Sequence, residues 1–129
     1  MPEKTIIQTD QAPAAIGPYS QAVRVANTVY LSGQIPLVPG TMVICDGGIK
    51  AQAQQVFNNL AAVAKAAGGS LNDCVKLNIS LTDLSDFEQL NAVMETFLEP
   101  PFPARACVQV AALPKGAMIE VEAILVIGA

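Results

Sequence analysis

The 129-residue chain contains no histidine. That absence removes Ser-His-Asp and Cys-His machinery, HExxH zinc sites and imidazole metal ligation from consideration. Basic residues are also scarce: seven Lys and Arg stand against eleven Asp and Glu, a formal net charge of −4. Such a balance argues against a broad phosphate-binding face, so nucleic acid is not an expected partner. Cysteine occurs three times, at Cys45, Cys74 and Cys107. This odd, widely spaced set makes neither a disulfide framework nor a zinc cluster. No apolar run approaches the roughly 18 residues of a membrane span. Residues 1–10 include Glu3, Lys4 and Asp10 and lack the apolar stretch of a secretory signal. The expectation is a cytoplasmic protein with reduced thiols and no membrane partner. No repeat, linker or glycine-rich nucleotide fingerprint interrupts the chain, so residues 1–129 read as one domain.

What the chain does have is apolar residues, 52% of the total against 14% charged. That surplus points to a subunit interface. Residues 4–8 read as a strand, and the Pro/Gly-rich segment 12–18 as an ordered loop. Residues 20–25 and 28–34 form a hairpin pattern around Ala26-Asn27. Ile49, Ala53, Val56, Phe57, Leu60, Val63, Ala64 and Ala67 recur at helical spacing, and Gly68-Gly69 ends that run. Residues 74–82 alternate, with Val75, Leu77, Ile79 and Leu81 on one side. Ser85-Asp-Phe-Glu88 has capping-box form and opens a second helix that stops before Pro100-Pro101. Strands near 104–110 and 118–127 complete the order β-β-β-α-β-α-β-β. This predicts an α+β fold, a single mixed sheet of about six strands with two helices on one face. The opposite face is expected to carry Cys74, Lys76, Asn78, Arg105, Cys107, Gln109, Glu120 and Glu122 together.

Arg105 and Cys107 are two residues apart on a β-patterned segment, so both point the same way. A guanidinium is a planar fork suited to a carboxylate. Arg105 is therefore either a clamp for a small carboxylic acid or half of an ion pair with Glu120 or Glu122. Those two glutamates share a strand face. They are either solvated or, if one is partly buried, able to exchange a proton with water. Cys107, with no His partner, is either a thiol activated by Arg105 or a small lining residue. Ser32-Gly33 ends the hairpin, where a glycine allows a ligand close to the backbone, or simply makes a turn. Tyr19 is a half-buried aromatic or a phenol in a cleft.

In order and spacing, several segments resemble the reactive intermediate deaminase (RidA/YjgF) family across almost the whole chain. They are Ala12-Pro-Ala-Ala-Ile-Gly-Pro-Tyr19, Ser32-Gly-Gln-Ile-Pro36, Asn59-Leu60, Ala66-Ala-Gly68, Leu81-Thr-Asp-Leu84, Phe87, Phe102-Pro-Ala-Arg-Ala-Cys107, Val110, Leu113-Pro-Lys115 and Ile119-Glu-Val-Glu-Ala123. The resemblance implies a chorismate-mutase-like fold assembled as a homotrimer, with ligand sites in clefts between subunits. It implies hydrolysis of 2-imino or enamine acids, made by PLP-dependent dehydratases, to 2-oxo acids and ammonia, without metal or organic cofactor. On it Arg105 binds the substrate carboxylate and Glu120 handles water and its proton. Tyr19, Ser32, Gly33 and Cys107 line the pocket, and Phe87 supplies an apolar wall. The alternative is a binding or sensing module that uses the same Arg105 pocket for 2-oxo acids without turnover. Ala106 and Ala112 stand where the family often has Ser and Arg. The 98–102 segment is short and the 37–48 loop departs from the family pattern, features that bear on substrate preference.

Overall fold

Two periodicities organise the chain. In the computed structural model, which describes residues 3–128, six strands and two helices follow in the expected order. The strands are β1 (Lys4–Ile7), β2 (Ala22–Val25), β3 (Thr28–Gln34), β4 (Cys74–Leu81), β5 (Ala104–Gln109) and β6 (Ile119–Val126); the helices are α1 (Gly48–Ala66) and α2 (Phe87–Phe97). They form one sheet of order β1-β2-β3-β6-β4-β5. β5 runs parallel to β4, with α2 as the crossover, while every other pairing is antiparallel.

Helix α1 ends as Gly68 and Gly69 predict. Gly68 takes φ +92°, a conformation that favours glycine, and the Gly68 and Gly69 amides donate to Lys65 and Ala64 carbonyls at 3.0 Å. Helix α2 starts differently from expectation. The cap belongs to Asp83, whose carboxylate accepts from the Ser85 amide at 2.9 Å ahead of a short 84–86 turn, and Asp86 precedes α2 without a side-chain cap. Hydrogen bonding from the Ser85 side chain, and then from its amide, holds the Asp83 carboxyl below its ordinary range. Ser85 heads a capping-box pattern, but Asp83, two residues earlier, performs the function.

Both helices cover one face of the sheet. Val56, Phe57, Leu60 and Val63 of α1 and Leu90 of α2 bury against Val29, Leu31, Leu77, Ile79, Leu81, Val121 and Leu125. Phe57 is fully buried and stacks on Phe97 with ring centroids 5.5 Å apart. Burial of a side chain that size stabilises by about 1.5–3 kcal/mol.

Polar groups inside this layer hold the loops that frame the site. Gln21 accepts from the Thr9 amide at 2.7 Å and donates to the Pro13 carbonyl at 2.8 Å, fixing the 9–13 segment that leads to Tyr19. Asn59 donates to the Leu37 carbonyl at 3.0 Å, and Gln52 accepts from the Met118 amide at 2.8 Å. Each is a polar residue in a buried position that exchanges water for a backbone partner.

Candidate active site

Strand alternation gives a side chain its face only once the register with its neighbours is known. Arg105 pairs with Leu77, and Cys107 with Ile79, in the parallel β4–β5 ladder. Leu77 and Ile79 are buried beneath the helices, so Arg105 and Cys107 lie on the helix side of the sheet. Glu120 pairs with Ser80, and Glu122 with Asn78, on the open side. The expected common face therefore divides. Lys76, Asn78, Glu120 and Glu122 share the open face, whereas Arg105, Cys107 and Gln109 belong to the other. Cys74 is a further correction. The β4–β6 register shifts between Cys74 and Lys76, which exposes Val75 and turns Cys74 into the core. There burial raises its thiol pKa.

On the helix side, α2 builds the setting of Arg105. Phe87 and Asn91 are four residues apart, hence on one helical face. The guanidinium carbon sits 4.9 Å from the centre of the Phe87 ring, and Nη1 donates to Asn91 Oδ1 at 2.6 Å and to Met94 Sδ at 3.6 Å. The ion pair with Glu120 or Glu122 is not the one this geometry makes. Those contacts engage Nη1 and one face of the fork. A groove of about 360 Å³ lined by Arg105, Asn91, Met94, Glu95, Phe102 and Pro103 opens beside it. Gln109, at the end of β5, accepts from the Leu84 amide at 2.9 Å and so ties β5 to the start of α2. Cys107 is half-buried against the core. Burial raises its thiol pKa, and the Arg105 charge opposes the rise only in part, so the thiol lacks the depressed pKa of an activated nucleophile.

On the open side, β3 and β6 build a second half. The β3–β6 register shifts between Leu31 and Gln34, leaving Ser32 and Gly33 in a bulge. A Cβ on Gly33 would stand 2.8 Å from Glu120 Oε1. Glycine is what lets the carboxylate lie over the strand. Ser32 Oγ donates to the Ser20 carbonyl at 2.5 Å, and the Tyr19 hydroxyl accepts from the Ile16 amide at 3.3 Å. Together Tyr19, Ser32, Gly33, Glu120 and Glu122 line a cavity of about 460 Å³. Burial, and then the charge of Glu122, raise the pKa of Glu120.

The residues proposed as a site from the sequence therefore fall into two groups on opposite sides of a single sheet. Tyr19, Ser32, Gly33 and Glu120 form one; Phe87, Arg105 and Cys107 form the other. Sequence reasoning passed over Asn91. Its position one turn after Phe87, on the helix preceding Arg105, was the available signal.

The family model described as Endoribonuclease L-PSP matches residues 9–127. The chain is 51% identical over 127 residues to a Dermatophagoides farinae protein named 2-iminobutanoate/2-iminopropanoate deaminase, covering 98% of this chain and 99% of that one. Among solved structures it is similar to RidA from an Antarctic Psychrobacter species, at 63% identity and TM-score 0.93, covering 95% and 99% of the two chains. It is also similar to Escherichia coli TdcF with bound serine, at 42% identity and TM-score 0.90, covering 96% and 99%.

Proposed function

The chain belongs to the RidA/YjgF family, and from that premise we infer that it is a hydrolytic deaminase of 2-iminobutanoate/2-iminopropanoate type. It converts reactive 2-imino or enamine acids to 2-oxo acids and ammonia. The observation that carries the reading is 51% identity, over nearly the full length of both chains, to a protein named as such a deaminase, in a chain that keeps a hydrogen-bonded cation and a partly buried carboxylate.

In the roles we propose, Arg105 holds the substrate carboxylate through the part of its fork that Asn91 leaves free. Phe87 keeps the guanidinium plane in place, and Cys107 lines the pocket. The iminium carbon is already electrophilic, so the protein's task is to orient the acid and deliver a water. Glu120 takes a proton from that water as its oxygen bonds to the carbon. It then returns that proton to nitrogen and accepts the carbinol O–H proton as the C–N bond breaks, and the departing ammonia takes up this second proton. Iminium plus water thereby becomes ketone plus ammonium. The raised pKa of Glu120 suits both transfers better than an ordinary carboxylate would. Tyr19, Ser32 and Gly33 complete the wall on the Glu120 side.

Arg105 and Glu120 cannot meet within one chain, so the site we propose forms between copies, in a homotrimer. Support comes from the open sheet face, where Ile6, Tyr30, Val108 and Val126 are 46–53% exposed. Such a run of apolar residues needs a cover. Light scattering should give a mass near 40 kDa, three times the 13.4 kDa chain; a 13.4 kDa particle would remove the intersubunit site. Cys45, Cys74 and Cys107 are free thiols, in keeping with a cytoplasmic location.

The deaminase reading is tested with a PLP-dependent dehydratase generating the imine while its loss is followed. The chain should accelerate that loss and the appearance of 2-oxo acid. If it binds a 2-oxo acid but leaves imine decay at the buffer rate, it is a binding module instead.

A further inference from the structure

Glu120 works under a contradiction in the proposed assembly: the guanidinium that anchors the substrate also favours an ionised, weakly basic carboxylate. The residue placed to counter this is Glu122. It lies two positions along β6 on the same face, roughly 7 Å away along the strand, and lines the same cavity as Glu120. Its position is held rather than free. Glu122 Oε1 accepts from Asn78 Nδ2 at 3.1 Å, and the two residues are cross-strand partners.

We propose that Glu122, tethered by Asn78, is a positioning residue for the deamination, one whose fixed negative charge keeps Glu120 able to accept and return a proton. The proposal rests on the reading of Glu120 as the proton-handling group.

The surroundings leave few competitors. On β6 the charged neighbour on that face is Glu122 itself. On β3 the facing residues, Ser32 and Gly33, are neutral. On β4, Ser80 and Asn78 are neutral, while Lys76 lies at the level of Ile124, roughly 13 Å along the strand from Glu120. On β5 the same face carries Ala104, Ala106 and Val108. The Tyr19 phenol borders the cavity, and Lys115 follows the lining residue Pro114. Arg105 of the adjoining copy is the cation that Glu122 offsets. The direction of the shift at Glu120 within a single chain, with Glu122 as its second cause, agrees with this role.

The test is Glu122→Gln, which keeps the shape and an oxygen for Asn78 while removing the charge. Loss of a like charge favours the ionised form of Glu120, so Glu120 releases its proton at lower pH. The acid limb of the kcat/KM–pH profile should move to lower pH in Glu122→Gln. Glu122→Asp, which restores the charge, should keep the limb close to wild type. A structural role alone would change the amplitude of both profiles and leave the limb where it was. The same shift should appear in a 13C-carboxyl NMR titration of Glu120 without substrate, assigned with Glu120→Gln. An unmoved limb and an unmoved titration in Glu122→Gln overturn the proposal while leaving the deaminase reading intact. A wild type without turnover overturns that reading, and the NMR titration still decides the coupling.

Discussion

Arg105→Ala and Glu120→Ala chains, each depressed about 1,000-fold or more when assembled alone, regain about a quarter of wild-type turnover when co-assembled in equal amounts. The expectation follows from the faces. Arg105 is on the helix side of β5 and Glu120 on the open side of β6, so in the proposed assembly a working pair joins an arginine from one copy to a glutamate from the next. In a ring formed at random, half of the arginine positions and half of the glutamate positions are intact, and the two draws are independent. One interface in four then carries both groups. Co-expression with two affinity tags, followed by native mass spectrometry, establishes that mixed rings are present. Recovery near a quarter fits a site shared between neighbours. No recovery in verified mixed rings would mean that each chain completes its own site and that the facing argument is wrong.

The same facing argument marks where sequence reading stops. Element order was legible because periods of 2 and 3.6 are local properties of the chain. Phe57 and Leu60 declare a helix, and Leu77, Ile79 and Leu81 a strand, without knowledge of their neighbours. The alternation within β5 was legible too: Arg105 and Cys107 do point together. What no local pattern encodes is the phase of one strand against another. The parallel register that sets Arg105 beside Leu77, and the shift near Val75 that turns Cys74 inward, are long-range pairings. A single-residue change of phase moves every side chain of a strand to the other face. The candidate site residues could therefore be named while their mutual arrangement could not. Asn91 escaped for a related reason, since its contact with Arg105 depends on how α2 lies across β5.

Gly33→Ala should lower kcat by roughly 100-fold while leaving the fold almost untouched, because a displacement of about 1 Å at a reacting group is enough for such a loss. The added methyl would meet Glu120 Oε1 at 2.8 Å and its carboxyl carbon at 3.0 Å. Both atoms belong to the movable end of a side chain, so the carboxylate swings away and the backbone stays. Gly33 is not among the residues with positive φ, and alanine there adds no left-handed strain. Its smaller unfolded-state entropy can even contribute about 0.4–1 kcal/mol to stability. Thermal melting should accordingly stay within a few degrees of wild type. A methyl that merely occupied ligand space would act differently, raising KM with kcat held. A fall in kcat at nearly constant KM assigns the loss to the displaced Glu120 carboxylate. The reverse split would make Gly33 a wall for the substrate, and unchanged kinetics would show that turnover does not depend on where that carboxylate sits.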